Sequence, residues 1–140
     1  MTAFSRVYLD TTPIVYYLNM HDRYFSCVEK FFSHGQARFY SSTLAEMECL
    51  VIPYRNRDRE QINEFKMFVA SMPLNIQLVT SEISDKAAQI RAEYPRFKAI
   101  DAVHLATACI CDCELFFTND KQLRQFAEIE CLLVDDLLPS

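Results

Sequence analysis

The chain has 140 residues, 51% of them hydrophobic, and a formal net charge of −5. That length fits one domain with one real core, and no stretch is long and apolar enough to span a membrane. The acidic balance argues against non-specific binding to long duplex DNA, but not against a pocket that takes one short RNA segment.

Met1-Thr2-Ala3-Phe4-Ser5-Arg6 runs straight into an apolar segment and lacks a signal-peptide layout, so a cytoplasmic location is expected. Arg6-Val-Tyr-Leu-Asp10 reads as a buried strand ending in a charge. A helix through about residue 19 follows, with Pro13 suited to its first turn. Apolar residues at Tyr24, Cys27, Val28, Phe31 and Phe32 predict a helix over 21 to 33, stopped at His34-Gly35. Residues 37 to 41 predict a second strand, 43 to 54 and 59 to 72 two helices, and 75 to 79 a third strand. Residues 84 to 94 predict a helix ended by Pro95. Residues 100 to 111, rich in alanine and apolar throughout, predict a central helix. A strand over 114 to 118, a short helix over 120 to 126 and a strand over 131 to 134 complete the chain. Gly35 is the only glycine.

Strands alternating with helices predict an α/β fold: a three-layer α/β/α domain over residues 1–140, with a central, mostly parallel sheet of four to five strands. The six cysteines (Cys27, Cys49, Cys109, Cys111, Cys113 and Cys131) sit in apolar segments and are expected to be reduced, mostly buried small hydrophobes. Cys109-x-Cys-x-Cys113 has no second cluster at zinc-finger spacing and is assigned neither zinc nor a redox role.

Ligands of such sheets bind beyond the carboxyl ends of the strands. Asp10 ends the first strand, Asp120 lies just past the fourth, and Glu46 is in the first helical turn after the second. Asp101 joins them if its helix starts at that edge. Each acid also has a plain role: a turn for Asp10, a capping box with Thr43 for Glu46, an anion on a helix dipole for Asp101, an N-cap for Asp120. Together the weighing changes, because four converging carboxylates repel one another and need cations. Oxygen-only donors favour Mg²⁺ or Mn²⁺, and such a site suits phosphodiester hydrolysis. With four charges set aside for it, the rest of the surface is close to neutral.

Four segments, in order, carry a family likeness: Tyr8-Leu-Asp-Thr-Thr12, Ser41-Ser-Thr-Leu-Ala-Glu46, Ile100-Asp-Ala-Val-His-Leu-Ala-Thr-Ala108 and Phe117-Thr-Asn-Asp120. Over nearly its whole length the chain resembles the PIN-domain family, and within it the VapC-like toxin ribonucleases of VapBC toxin–antitoxin pairs. The resemblance implies a PIN-like fold and Mg²⁺- or Mn²⁺-dependent endoribonuclease activity on single-stranded or structured RNA. It implies Asp10 and Asp101 as main metal ligands, Glu46 as the third acid and Asp120 as the fourth. It also implies Thr11, Thr12 and Thr118 as orienting hydroxyls and Asn119 as the polar neighbour of the last acid. Glu48 rivals Glu46, but two residues on a helix point apart, and Glu46 is preferred. As partners it implies a small antitoxin and a second copy of the chain, suited to an apolar strip over 44 to 54 and 62 to 72.

The family often has a glycine where Cys111-Asp112-Cys113 stands, and Arg96-Phe-Lys-Ala-Ile100 departs from its apolar lead-in. Arg96 and Lys98 lead into Asp101 and are the candidate phosphate contacts. Arg55, Arg57 and Arg59 read as a solvated helix end. His104 is expected to be a core histidine, with a hydrogen bond to a ligand carboxylate as its other role. The aromatic residues at helical spacing read as core or interface, not as base-stacking platforms.

Two other functions share parts of this pattern. A haloacid-dehalogenase-type phosphatase needs an acid two residues after the first Asp, where Thr12 stands. A catalytically weak PIN-like binding module would keep the fold and lose turnover.

Overall fold

The structure is a computed structural model and describes residues 4–33 and 35–139. Five strands form one parallel sheet: β1 (Arg6–Leu9), β2 (Arg38–Ser42), β3 (Leu74–Gln77), β4 (Leu115–Thr118) and β5 (Glu130–Leu133), in the order β3-β2-β1-β4-β5. Six helices connect them: α1 (Thr11–Leu18), α2 (Phe25–Phe32), α3 (Thr43–Arg55), α4 (Arg59–Ser71), α5 (Ser81–Glu93) and α6 (Ala99–Ile110). Two short 3₁₀ turns follow, Lys121–Gln125 and Val134–Leu137.

The pleat divides the core in two. Tyr8 lies beside Tyr40 and Phe116 on one face, where Ile83, Ala87 and Ile90 of α5 and Leu105 and Ala106 of α6 cover it. Val7, Leu9, Phe39, Leu115 and Phe117 point to the other face, onto Ile14, Val28, Cys49, Phe65 and Phe68 of α1 to α4. A parallel sheet covered on both faces needs strands that are apolar throughout, and β4 (Leu-Phe-Phe-Thr) is buried at every position. This is the three-layer α/β arrangement expected from the sequence.

Several boundaries move, for local reasons. The helix expected from residue 21 starts at Phe25. Met20 at φ +48° turns the chain, His21 N–H bonds back to Tyr16 C=O at 3.0 Å, and the His21 ring accepts from Arg23 N–H. The helix expected from residue 84 starts at Ser81, because the Thr80 hydroxyl caps Ile83 N–H. The third strand ends at Gln77, leaving Leu78 and Val79 exposed. Residues 121 to 125 form a 3₁₀ turn in place of the expected α-helix. Of the expected His34-Gly35 stop, His34 lies outside the described residues; Gly35 has φ +74°.

α1, α3 and α6 end alike. The residue two past the last helical one is left-handed: Met20, Arg57 and Asp112, at φ +48°, +53° and +56°. After α6, Cys113 N–H bonds Ala108 C=O and Asp112 N–H bonds Cys109 C=O, a Schellman closure. Such positions favour glycine, and here a methionine, an arginine and an aspartate fill them. The departure at Cys111-Asp112-Cys113 is thus a turn without its usual residue.

All six cysteines are free thiols, two buried and four half-buried. Burial pushes Cys49 and Cys113 up to about 12 and Cys109 and Cys131 up to about 11. No helix among the described residues is long and apolar enough to cross a membrane.

Candidate metal centre at the sheet edge

β1 is the strand where the chain's course across the sheet reverses, with β2 on one side and β4 on the other. Adjacent connections leave such a point in opposite directions and open a crevice there. Asp10 stands at its mouth. Its backbone N–H is held by Phe117 C=O at 2.9 Å, and its carboxylate caps α1 by accepting from Thr11 N–H at 2.8 Å. The other carboxylate oxygen accepts from the buried Thr118 hydroxyl at 2.7 Å. Thr118 in turn accepts from Asp120 N–H at 3.1 Å. Thr11 and Thr118 therefore orient Asp10.

Asp120 is half-in, half-out: it caps the following 3₁₀ turn by accepting from Gln122 N–H, and its side chain is exposed. Asp101 is in the first turn of α6 and accepts from Lys98 N–H at 3.3 Å. Asp120 and Asp101 have the plain roles expected of them, whereas Asp10 caps α1 in place of the expected turn. The plain role of Glu46 is absent. Ser42, not Thr43, caps α3 through Ala45 N–H, so no capping box reaches Glu46.

Of the two rivals Glu46 and Glu48, Glu48 is the one with side-chain partners toward the other acids. Glu48 accepts from the Thr11 hydroxyl at 2.7 Å and lies 2.8 Å from His104 Nε2. Ala45, Cys49 and Pro53 form the buried line of α3. At about 100° per residue, Glu46 and Glu48 stand on opposite flanks of that line. The flank toward α1 and α6, where Asp10 is, carries Glu48. Glu46 is half-buried and makes no hydrogen bond among the described contacts, and the same holds for Thr12. Asn119 turns aside from the acids, bonding the Tyr16 hydroxyl at 3.2 Å and accepting from Asp135 N–H at 3.1 Å.

His104 is buried, at 1% exposure, as a core histidine would be, and yet it joins two acids. Its Nε2 is 2.8 Å from Glu48 and 3.6 Å from Asp10. Its Nδ1 is 2.7 Å from the hydroxyl of Tyr8, a residue the sequence reading passed over. The signal for Tyr8 was available: alternation along β1 buries it, and a buried phenol needs a partner for its hydroxyl.

The PIN domain family profile matches residues 7–129. This chain belongs to the PIN domain family. The PIN domain resembles several solved structures in fold. FitAcB from Neisseria gonorrhoeae has a TM-score of 0.74 at 18% identity, covering 94% of this chain and 99% of that one. VapBC2 from Rickettsia felis, bound to a DNA fragment from its promoter, has 0.73 at 16%, covering 91% and 98%. VapC20 from Mycobacterium tuberculosis, described as a Sarcin-Ricin loop cleaving toxin, has 0.69 at 15%, covering 89% and 98%. A comparison with curated proteins finds no match.

The charges at this edge of the PIN domain are poorly balanced. Burial, and then the negative charges of Asp10 and Asp120, hold the Asp101 carboxyl above its usual range, against the Lys98 amide. Burial raises the Glu48 carboxyl, but the bonds from His104 and Thr11 outweigh it and hold the group low. Among the described residues, no Lys or Arg side chain lies within 4 Å of any of these acids, and His104 is the one basic group that does. An arrangement of oxygen donors with excess negative charge fits a hard divalent cation. No three His, Cys, Asp or Glu groups among the described residues are close enough to enclose an ion by themselves.

Arg96 and Lys98 flank Phe97, which is buried and stacked on Tyr94 at 4.9 Å. The anchored phenyl leaves both cations exposed just before Asp101. Arg55, Arg57 and Arg59 are exposed around the end of α3.

Proposed function

We propose that this PIN domain, spanning the whole chain, is a Mg²⁺- or Mn²⁺-dependent endoribonuclease and the toxin of a toxin–antitoxin pair. The observation that carries the reading is the placing of Asp10, Glu48, Asp101 and Asp120 along one sheet edge, with no Lys or Arg side chain among the described residues within 4 Å to balance them. Asp10 and Asp101 act as the main ligands, and Glu48 and Asp120 hold the cation directly or through water. Glu46 stays a rival to Glu48. Such a cation would lower the pKa of a water so that hydroxide is available to attack a phosphodiester, and would offset charge on the leaving oxygen.

The chain's own groups do the positioning. Thr118 and the Thr11 amide fix both oxygens of Asp10, and Thr11 O–H holds Glu48. Arg96 and Lys98 take the RNA backbone beside Asp101, as cations suited to single-stranded RNA do. The antitoxin and a second copy of the chain are the partners. Met47, Val51 and Ile52 on α3 and Met67 on α4 leave apolar surface exposed, which supports a partner along these helices.

The test is RNA cleavage with Mg²⁺ or Mn²⁺ by the wild type and by Asp101→Asn. The expected result is loss in the variant. Equal cleavage by the two proteins overturns the metal-nuclease reading, and none in either favours a binding module. Co-expression with the product of the adjacent reading frame, followed by size exclusion, tests the partners; a monomer in both samples counts against them.

A further inference from the structure

We propose that Tyr8 and His104 form a buried positioning relay that sets the carboxylate of Glu48. The proposal rests on reading Glu48 as one of the site's acids. It adds two residues that cannot touch RNA, since Tyr8 is 0% and His104 1% exposed.

The relay is a closed circuit. Ser42 Oγ caps α3 by accepting from Ala45 N–H, and it lies 3.0 Å from the Tyr8 hydroxyl. Tyr8 Oη is 2.7 Å from His104 Nδ1, and His104 Nε2 is 2.8 Å from Glu48 Oε1. Glu48 returns the circuit to α3, the helix that Ser42 starts, and accepts from Thr11 O–H beside Asp10. β1, α6, α3 and α1 are thereby tied at one point. The Tyr8 ring cannot slide, because it stacks on Phe116 with centroids 5.3 Å apart and planes at 7°.

Proton placement follows from donor and acceptor chemistry. An ionised carboxylate only accepts, so His104 Nε2 carries a hydrogen and donates to Glu48. With a neutral ring, Nδ1 accepts from Tyr8 O–H. With a charged ring, Nδ1–H donates to Tyr8 Oη, and Tyr8 turns its hydrogen to Ser42. The phenol serves both states and leaves no buried polar atom unpaired, which a phenylalanine could not do. The surrounding core is apolar, so a hydroxyl and an imidazole placed there carry a desolvation cost that orientation of Glu48 explains.

The test uses Tyr8→Phe, His104→Gln and His104→Leu. Gln keeps an N–H donor where Nε2 stands, and Leu removes it. Mn²⁺ affinity is read by electron paramagnetic resonance, and cleavage as kcat and KM. Tyr8→Phe and His104→Leu are expected to weaken Mn²⁺ binding or kcat about 10- to 100-fold with KM for RNA unchanged, and His104→Gln to recover most of the loss. Nitrogen-15 histidine NMR on the metal-free protein adds a readout that needs no metal. The wild type should hold its ring proton on Nε2, and Tyr8→Phe should give mixed tautomers. Folded variants with wild-type affinity and kcat, equal losses in the Gln and Leu variants, or a wild-type proton on Nδ1 alone would each overturn the relay. A wild type that ignores Mn²⁺ but keeps the Nε2–H signal sinks the metal-site reading and leaves the relay standing.

Discussion

His104 Nε2 lies 2.8 Å from Glu48 and 3.6 Å from Asp10, so one buried ring joins the acid at the end of β1 to an acid on α3. The two acids are far apart in the chain, and Glu48 is tied to Asp10 only through this ring and Thr11. Replacing Glu48 by Gln is expected to reduce RNA cleavage about 10²- to 10³-fold, the usual cost of losing one group that stabilises developing charge. Glu46→Gln should stay within about threefold of wild type. Steady-state kinetics of the two variants decide between them, and a larger loss at Glu46 would restore the first ranking.

Asp101 gives a stability prediction opposite to that for activity. Its carboxyl is held high, first by burial and then by Asp10 and Asp120, so its ionised form is disfavoured in the fold. The folded chain keeps this proton longer than the unfolded one, and stability falls as pH rises from the ordinary carboxylate range through the raised value. Asp101→Asn should therefore melt higher than wild type at neutral pH without metal, and the gain should fade on acidification. The wild type alone should gain about 1.4 kcal/mol at Mn²⁺ tenfold above its Kd. Melting scans with chelator and with Mn²⁺ read both effects; a variant that melts lower at neutral pH contradicts the repulsion.

Glu48 and His104 shape the alkaline side. Burial lowers the His104 imidazole, but the bond to Glu48 and the charges of Asp10, Glu48 and Asp101 outweigh it and hold the group above 6.5. Its contribution is complete below 6.5 and lost as pH rises through the raised value. Glu48, held low, contributes above the ordinary carboxylate range and loses this as pH falls through its lowered value. The metal-free protein should therefore pass through a maximum of this pair's contribution at mildly acidic pH. His104→Gln should flatten the fall above neutrality. Tm measured in chelator from about pH 5 to 9 checks it, and a wild type as flat as the variant rejects it.

Arg96→Ala and Lys98→Ala should raise KM for RNA and leave kcat near wild type, since both cations are exposed and outside the acidic cluster. Each should lower the slope of log affinity against log salt by about 0.7, the value for one single-strand phosphate contact. Binding titrations at several salt concentrations measure this; an unchanged slope removes the residue from the RNA surface.

The left-handed turn after α6 gives a check that does not involve the site. Asp112 is exposed at φ +56°, where a side chain costs about 1 kcal/mol relative to glycine. Asp112→Gly should raise Tm by about 3 °C. Gly35→Ala, at φ +74° with open space around the added Cβ, should lower it by a similar amount. Calorimetry on both variants suffices, and a drop in Asp112→Gly would contradict the strain.

Much of this was legible from residues alone. Period and punctuation marked every strand and α-helix, because parallel strands buried on both faces are apolar runs that stand out between amphipathic helices. Asp10 was legible because it closes such a run. Element starts were less so: His21 and Thr80 act through side-chain caps that a pattern of apolar residues does not register. The ranking of Glu46 and Glu48 was not legible, for a different reason. Which flank of a helix faces a crevice depends on how α3 docks against α1 and α6, and a two-residue spacing gives the angle between Glu46 and Glu48 without giving its origin.

The strand order has a consequence for how the edge is completed. The hydroxyl that orients Asp10, Thr118, is 108 residues further along the chain, and His104 is 94 residues further. β1 sits between β2, which follows it closely in sequence, and β4, which does not. β1, β2 and β3 with α1 to α4 make one side of the fold, and the acids at the edge gain their orienting partners only when α6 and β4 close against β1.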